Sequence, residues 1–249
     1  MQKSKNELIK FIKETVQKSG AKKLILGLSG GMDSAATAYL SVLALGRENV
    51  IAVLMHYKDF DKEGAELADL MVKNLGIKSY NVDIAPGVDA YFKNFPDADD
   101  IRRGNKMARE RMSVLYDLSK KEEALVIGSG NKTEISLGYC TLHGDTACAL
   151  NPLARLYKTD ILKLAEELGV PESVIKRKPT AGLWKGQTDE EELGYSYKEM
   201  DRLLSLMLDS KKTYDELKKE GFSEKFIRDI RERITMSDFK RRPTSIPEA

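Results

Sequence analysis

The sequence predicts an α/β fold, a doubly wound and mainly parallel sheet (Rossmann-like), with additional C-terminal helices. Three observations carry this. Short apolar runs alternate with segments of helical periodicity across residues 20–160. One run, Val50-Ile51-Ala52-Val53-Leu54-Met55, is apolar at every position, as a strand buried on both faces of a parallel sheet requires. The first run, Leu24-Ile25-Leu26, leads through a glycine pair into a helix, the strand–turn–helix junction of such folds.

Each element has its own signal. Leu8, Ile9, Phe11, Ile12 and Val16 form a helical stripe that ends at Gly20. Leu24–Leu28 is the first strand, and a helix opens at Asp33 after the glycine turn. Val50–Met55 is the second strand, followed by a helix over Ala65–Leu75 that Gly76 closes. Ser79–Ile84 reads as the third strand, Asn105–Leu118 as a helix and Ala124–Gly128 as a short fourth strand. Beyond Asn151-Pro152 the chain turns helical, over Lys158–Leu168, Lys198–Leu208 and Phe222–Ile234. Lys178–Gly194 is turn-rich and holds the only tryptophan, Trp184; a loop this long is commonly functional or disordered. The basic tail, Lys240-Arg241-Arg242-Pro243, read alone is a solvated, mobile end.

The 249 residues suit one large domain, or a domain with an appended helical part. Charged residues make up 32% of the chain, yet the formal net charge is only +2. This balance offers no broad nucleic-acid footprint while leaving room for a local anion pocket. Cys140 and Cys148 lack CxxC spacing and read as buried, reduced thiols. The first residues, Met1-Gln2-Lys3-Ser4-Lys5-Asn6, have no signal-peptide core, and no apolar run approaches a membrane span. The expectation is a soluble, cytoplasmic protein.

The chemistry is concentrated in Gly27-Leu28-Ser29-Gly30-Gly31-Met32-Asp33-Ser34. Backbone N–H groups and the positive end of the following helix converge there on one point, where an anion can sit. Gly30 and Gly31 let the backbone approach it closely. The Walker A ending Gly-Lys-Ser/Thr is absent, so this is a different phosphate loop. Its form, Ser-Gly-Gly-x-Asp-Ser, resembles the pyrophosphate loop of the ATP pyrophosphatases, which cleave ATP to AMP and pyrophosphate. The plain alternative is a tight turn without a ligand.

Further segments narrow the resemblance: Asn105-Lys106-Met107-Ala108-Arg109-Glu110-Arg111, Gly128-Ser129-Gly130-Asn131-Lys132-Thr133-Glu134, Gly144-Asp145, Leu156-Tyr157-Lys158-Thr159, Lys178-Pro179-Thr180-Ala181-Gly182 and Gly186-Gln187-Thr188-Asp189. In this order, from Lys23 to Lys240, they resemble the NAD synthetase family. That resemblance implies ATP-dependent amidation of deamido-NAD with ammonia, through an acyl adenylate. It implies that the backbone from Gly27 to Ser34, with Ser129, Lys158 and Thr180, contacts ATP. It also implies Asp33 and Glu134 as Mg²⁺ ligands, Arg109 and Lys240 as deamido-NAD contacts, and Asp145 beside the reaction centre. By themselves, Asp33 reads equally as a helix-terminal carboxylate, Glu134 as a surface helix residue and Lys158 as a solvated lysine.

The chain departs from the family pattern at Ser129 (usually threonine), at Leu142-His143, at Ala149 and at Phe239. The changes at Leu142-His143 and Ala149 leave the ATP half intact and touch the dinucleotide half. The resemblance covers nearly the whole chain, residues 1–249, as one synthetase domain without a glutaminase domain. It implies ammonia as donor, free or delivered by a separate protein, a homodimer and a lid at Lys178–Gly194; charge and hydropathy add the expectation of no nucleic-acid or membrane partner. Two other readings stand beside it. One is a different ATP pyrophosphatase, such as a GMP synthetase module or a tRNA-thiolating enzyme, which Cys140 and Cys148 fit poorly. The other is a nucleotide sensor without turnover, against which Asp33, Glu134 and Lys158 together argue. Asp33→Ala is expected to abolish turnover in an enzyme with its fold intact.

Overall fold

The computed structural model describes residues 4–184, 186–244 and 246–247. Met1, Gln2 and Lys3 of the N-terminus considered above, and Lys185 of the expected lid, lie outside them. Four strands form one sheet: β1 (Lys23–Gly27), β2 (Val50–His56), β3 (Lys78–Asp83) and β4 (Ala124–Val126), in the order β3-β2-β1-β4. Every pairing is parallel, with Leu24 opposite Val50 and Leu125, and Ile51 opposite Lys78. The chain therefore moves outward from β1 to β3, then crosses back to place β4 on the other side of β1. The point between β1 and β4 is where a doubly wound sheet opens a crevice at its carboxyl edge.

Helices cover both faces. α1 (Lys5–Ser19), α2 (Met32–Leu45), α3 (Lys62–Leu75), α4 (Ala85–Phe92), α5 (Asp100–Glu122), α6 (Lys132–Leu137) and α7 (Lys158–Leu168) accompany the sheet. α8 (Glu172–Ile175), α9 (Asp189–Leu193), α10 (Tyr197–Leu204), α11 (Tyr214–Lys219) and α12 (Glu224–Met236) follow. The strand period of two sorts the core. Leu24, Leu26, Val50, Ala52 and Leu54 face α1, α2, α3 and α7, while Ile25, Ile51 and Val53 face the opposite layer with Leu118 of α5. A further apolar cluster joins Leu137 and Tyr157 to Met200, Leu203, Leu217, Ile227 and Ile230, so the C-terminal helices pack beside α6.

Several boundaries moved. The helix expected from Asn105 begins at Asp100, because Asp99 caps it by accepting from the Arg102 amide at 2.7 Å. α4 was not expected; Pro86 starts it, and its Val88 and Phe92 pack under α5 with Met107. The helix expected over Lys198–Leu208 is α only to Leu204 and continues as one π turn over Ser205–Asp209. The first half of the basic tail does not stay solvated, whereas Arg242 and Pro243 are exposed. Lys240 donates to the Gly138 and Cys140 carbonyls at 2.8 and 2.7 Å, and Arg241 donates to the Ile135 and Ser136 carbonyls at 3.2 and 3.0 Å. Cation donors thus meet carbonyls in the last turn of α6 and just beyond it, where the negative end of the helix favours them.

Candidate active site

The turn after β1 has the form that its sequence dictates. Gly30 sits at φ +80°, and a Cβ there would lie 2.1 Å from the Gly64 carbonyl oxygen at the start of α3. Only glycine tolerates both conditions. The Ser29 and Ser34 hydroxyls are 3.2 Å apart, and Ser34 Oγ donates to the Gly31 carbonyl at 2.9 Å. Gly31 caps α2 without any side-chain acceptor, so the helix opens with amide groups uncommitted to a cap. The turn lines a cavity of about 740 Å³ together with Gly128, Ser129 and Gly130 from the end of β4.

Between these two turns lies a compact charged group. Lys158, at the start of α7, donates from Nζ to Asp33 Oδ2 at 2.8 Å, and both side chains are nearly enclosed. The same oxygen accepts from Asn131 Nδ2 at 2.9 Å, while Asp33 Oδ1 is buried without a hydrogen-bond partner among the described residues. Asn131 and Glu134 form a capping box: Glu134 N donates to Asn131 Oδ1 at 2.9 Å, and Asn131 N donates to Glu134 Oε2 at 3.1 Å. Burial, reinforced by Asp33, pushes the Glu134 carboxyl up to about 8, although Lys158 opposes this. Burial alone lowers the Lys158 ammonium, but Asp33 and Glu134 outweigh it and the net shift is upward.

This arrangement fits a hard divalent cation. An orphaned carboxylate oxygen and a second carboxylate across a crevice suit Mg²⁺, which commonly takes one or two carboxylates and completes its shell with phosphates and water. Among the described residues no group of three or more His, Cys, Asp or Glu side chains is placed to hold a metal without such help.

The other residues anticipated from sequence divide. Ser129, Asp145, Lys158, Thr180 and Lys240 line the cavity together with Asp33 and Glu134. Asp145 accepts from the Thr141 amide at 2.7 Å, and Thr180 Oγ1 accepts from the Gly182 amide at 3.1 Å. Arg109 is exposed and donates from Nε to the Leu142 carbonyl at 3.2 Å, outside the cavity wall, whereas Arg111 lines the wall and donates to the Met55 carbonyl at 3.1 Å. Cys140 and Cys148 are free but half-buried rather than buried, and burial raises both thiols, Cys140 to about 11. They are weak nucleophiles at neutral pH.

Sequence reasoning gave no role to a second ring of residues, although Gln187 and Asp189 stand in one of the family-like segments. Asp189, at the start of α9, is 4% exposed and accepts from the Tyr197 hydroxyl at 2.9 Å; burial raises its carboxyl, while Lys158 pulls it down. Tyr139 donates to Glu192 at 2.8 Å, Gln187 Nε2 donates to Glu192 at 2.9 Å, and the Leu183 amide donates to Gln187 Oε1 at 2.8 Å. The Lys178–Gly194 segment is thus pinned over the cavity. At its base, buried Arg177 pairs with Asp61 at 2.5 Å, and Asp61 also caps α3 by accepting from the Gly64 amide at 3.0 Å. The family-like segment Gly186-Gln187-Thr188-Asp189 and the expected lid over Lys178–Gly194 signalled part of this in advance, without the contacts. An acidic run such as Asp189–Glu192 ordinarily marks an exposed first helical turn.

Comparison with known proteins finds relatives along nearly the whole chain. The NAD synthase family profile matches residues 4–244. The NH(3)-dependent NAD(+) synthetase of Fusobacterium nucleatum is 50% identical over 237 residues, covering 95% of this chain and 92% of that protein. Among solved structures, NH3-dependent NAD synthetase from Campylobacter jejuni superimposes with a TM-score of 0.84 at 34% identity, and NMN synthetase from Francisella tularensis with 0.87 at 30%. In both cases 98% of this chain and 97% of the other are covered.

Proposed function

The chain belongs to the NAD synthase family, and we propose that it amidates deamido-NAD with ammonia at the expense of ATP, giving NAD, AMP and pyrophosphate. The observation that carries the reading at this site is the Asp33–Lys158 pair, 2.8 Å apart between two glycine-bearing turns at the sheet's switch point. A carboxylate is a poor acyl donor. Its oxygen therefore first attacks the α-phosphorus of ATP; the bond to the β-phosphate breaks, and pyrophosphate leaves. Ammonia then attacks the carbonyl carbon of the acyl adenylate, AMP departs with the C–O bond's electrons, and one proton is lost from nitrogen. Positioning and charge neutralisation dominate the first step.

The residues divide that work. The amides that open α2, within the Gly27–Ser34 turn, hold the phosphates that become pyrophosphate, and Lys158 Nζ neutralises charge on them. Asp33 and Glu134 would hold Mg²⁺, which when bound draws charge from the phosphate oxygens. Ser129 and Thr180 contact the nucleotide. Asp145 stands at the reacting carboxyl, and Lys240 and Arg109 serve the dinucleotide, Arg109 from outside the cavity wall. The pinned Lys178–Gly194 segment, with Trp184 in the cavity wall, excludes water that would hydrolyse the adenylate. A cytoplasmic homodimer is part of the same reading; the resemblance supports it, and so for the dimer do exposed Tyr91 on α4, Phe95 in the connection and Ile101 on α5.

The test is NAD formation from deamido-NAD, ATP and Mg²⁺, with ammonium in one arm and glutamine in the other. NAD is expected with ammonium alone. Replacing the dinucleotide by deamido-NMN measures how far the likeness to NMN synthetase extends to substrate. No NAD in either nitrogen arm, from folded protein that binds ATP, overturns the assignment.

A further inference from the structure

Three carboxylates among the described residues are almost wholly buried: Glu122, Asp189 and Asp201. Glu122 is held by lysines at the opposite end of the sheet, and Asp189 lies close to Lys158. Asp201 has no ion pair among the described residues. It sits on α10 at 4% exposure, beside Met200, Leu203 and Leu204, which are fully buried. Its Oδ1 accepts the Thr133 hydroxyl at 2.5 Å, and its Oδ2 accepts the Thr159 amide at 2.8 Å. Thr133 Oγ1 in turn accepts the Lys158 amide at 3.1 Å. Thr133 immediately precedes Glu134 in the first turn of α6, and Thr159 immediately follows Lys158 in the first turn of α7.

We propose that Asp201 is a positioning residue: one carboxylate from the C-terminal layer clamps the N-terminal turns of α6 and α7, setting Glu134 and Lys158 at working separation. An anion there is favoured by both helix ends, which offset part of the desolvation of a buried charge. Groups of this kind hold catalytic side chains in register, and their loss typically costs about 10–100-fold in activity. The proposal rests on the functional reading above, which makes Glu134 and Lys158 the residues being positioned.

The test compares Asp201→Asn, Asp201→Leu, Thr133→Val and Thr133→Ser with the unaltered full chain. Thermal unfolding reports stability, Trp184 fluorescence reports ATP binding without other substrates, and the ammonium assay gives kcat and KM. Asp201→Leu and Thr133→Val are expected to lower kcat per folded molecule by about 10–100-fold, with KM for deamido-NAD unchanged. Thr133→Ser, which keeps the hydroxyl, is expected to restore most of it. Asp201→Asn should fall between, because its oxygen can still accept the Thr159 amide. Variants that melt earlier yet keep full kcat per folded molecule would overturn the proposal and leave Asp201 a purely structural group. Should Asp201→Leu fail to fold, Thr133→Val decides alone. Absence of turnover in the unaltered chain refutes the functional reading instead. The binding arm then still discriminates: weaker ATP binding in Thr133→Val than in Thr133→Ser supports the clamp, and equal binding refutes it.

Discussion

At the scale of the residue, Asp33 carries the most consequence. Its Oδ2 serves both Lys158 and Asn131, so it is structural and chemical at once. Sequence alone suggested that Asp33→Ala would leave the fold intact; the structure revises this. Truncation leaves a buried ammonium and a buried amide short of an acceptor, a loss of about 1–3 kcal/mol. It should also lower turnover by roughly 10²–10³-fold, as removal of one charge-stabilising group does. Urea unfolding beside the ammonium assay checks both. A variant as stable as the parent would show that Lys158 does not depend on this pair, and an active one would remove Asp33 from the machinery. Tyr197 and Glu192 received no role from sequence: Glu192 meets Tyr139 across 53 residues of chain, and Tyr197 reaches Asp189 only because a turn folds α10 back on α9.

At the scale of the element, the bottom of the sheet shows a second electrostatic device. Glu122, the last residue of α5, accepts from Lys78 Nζ at 2.7 Å and from the Tyr80 hydroxyl on β3, and lies 3.7 Å from Lys23 on β1. The Lys78 and Tyr80 hydrogen bonds pull its carboxyl down from 4.5 to about 2. A depressed carboxylate contributes stability that is fully present above its unfolded value and disappears as pH falls through the folded one. The stability difference between the parent and Glu122→Gln should therefore be constant above about pH 5 and vanish between 4.5 and about 2. Acid titration followed by circular dichroism checks this; a gap that persists at pH 2 would assign the loss to packing. The lysines and the glutamate are all visible in the sequence. Their meeting depends on α5 running the full length of the sheet, which the shorter helix expected over Asn105–Leu118 would not do.

At the scale of the whole molecule, the cavity is walled by the sheet layer on one side and by the Lys178–Gly194 segment on the other, with Asp189, Glu192 and Gln187 supplying the ties. ATP with Mg²⁺ should engage both walls and so resist global unfolding. At ligand concentrations near 100 times Kd the gain is about 2.7 kcal/mol, which for a chain of this size raises Tm by roughly 5–10 °C. Thermal scans across an ATP titration test it, and a Tm indifferent to ATP would deny that the described site binds the nucleotide.

Local patterns in the sequence were enough to determine the strand–turn–helix units, the parallel sheet and the glycine loop. A strand buried on two faces must be apolar at every position, as Val50–Met55 is, and a turn at positive φ pressed against a neighbouring backbone must use glycine, as Gly30 does. The family resemblance marked Asp33, Glu134 and Lys158. Only the tertiary structure decided that Asp33 and Lys158 meet across 125 residues of chain, that Arg111 rather than Arg109 lines the cavity, and that Asp201 links the two helix ends. The physical reason is range. Backbone preference and hydrophobic period act over a few residues, whereas the environment of a buried charge is made by side chains that only the folded layers bring within hydrogen-bond distance.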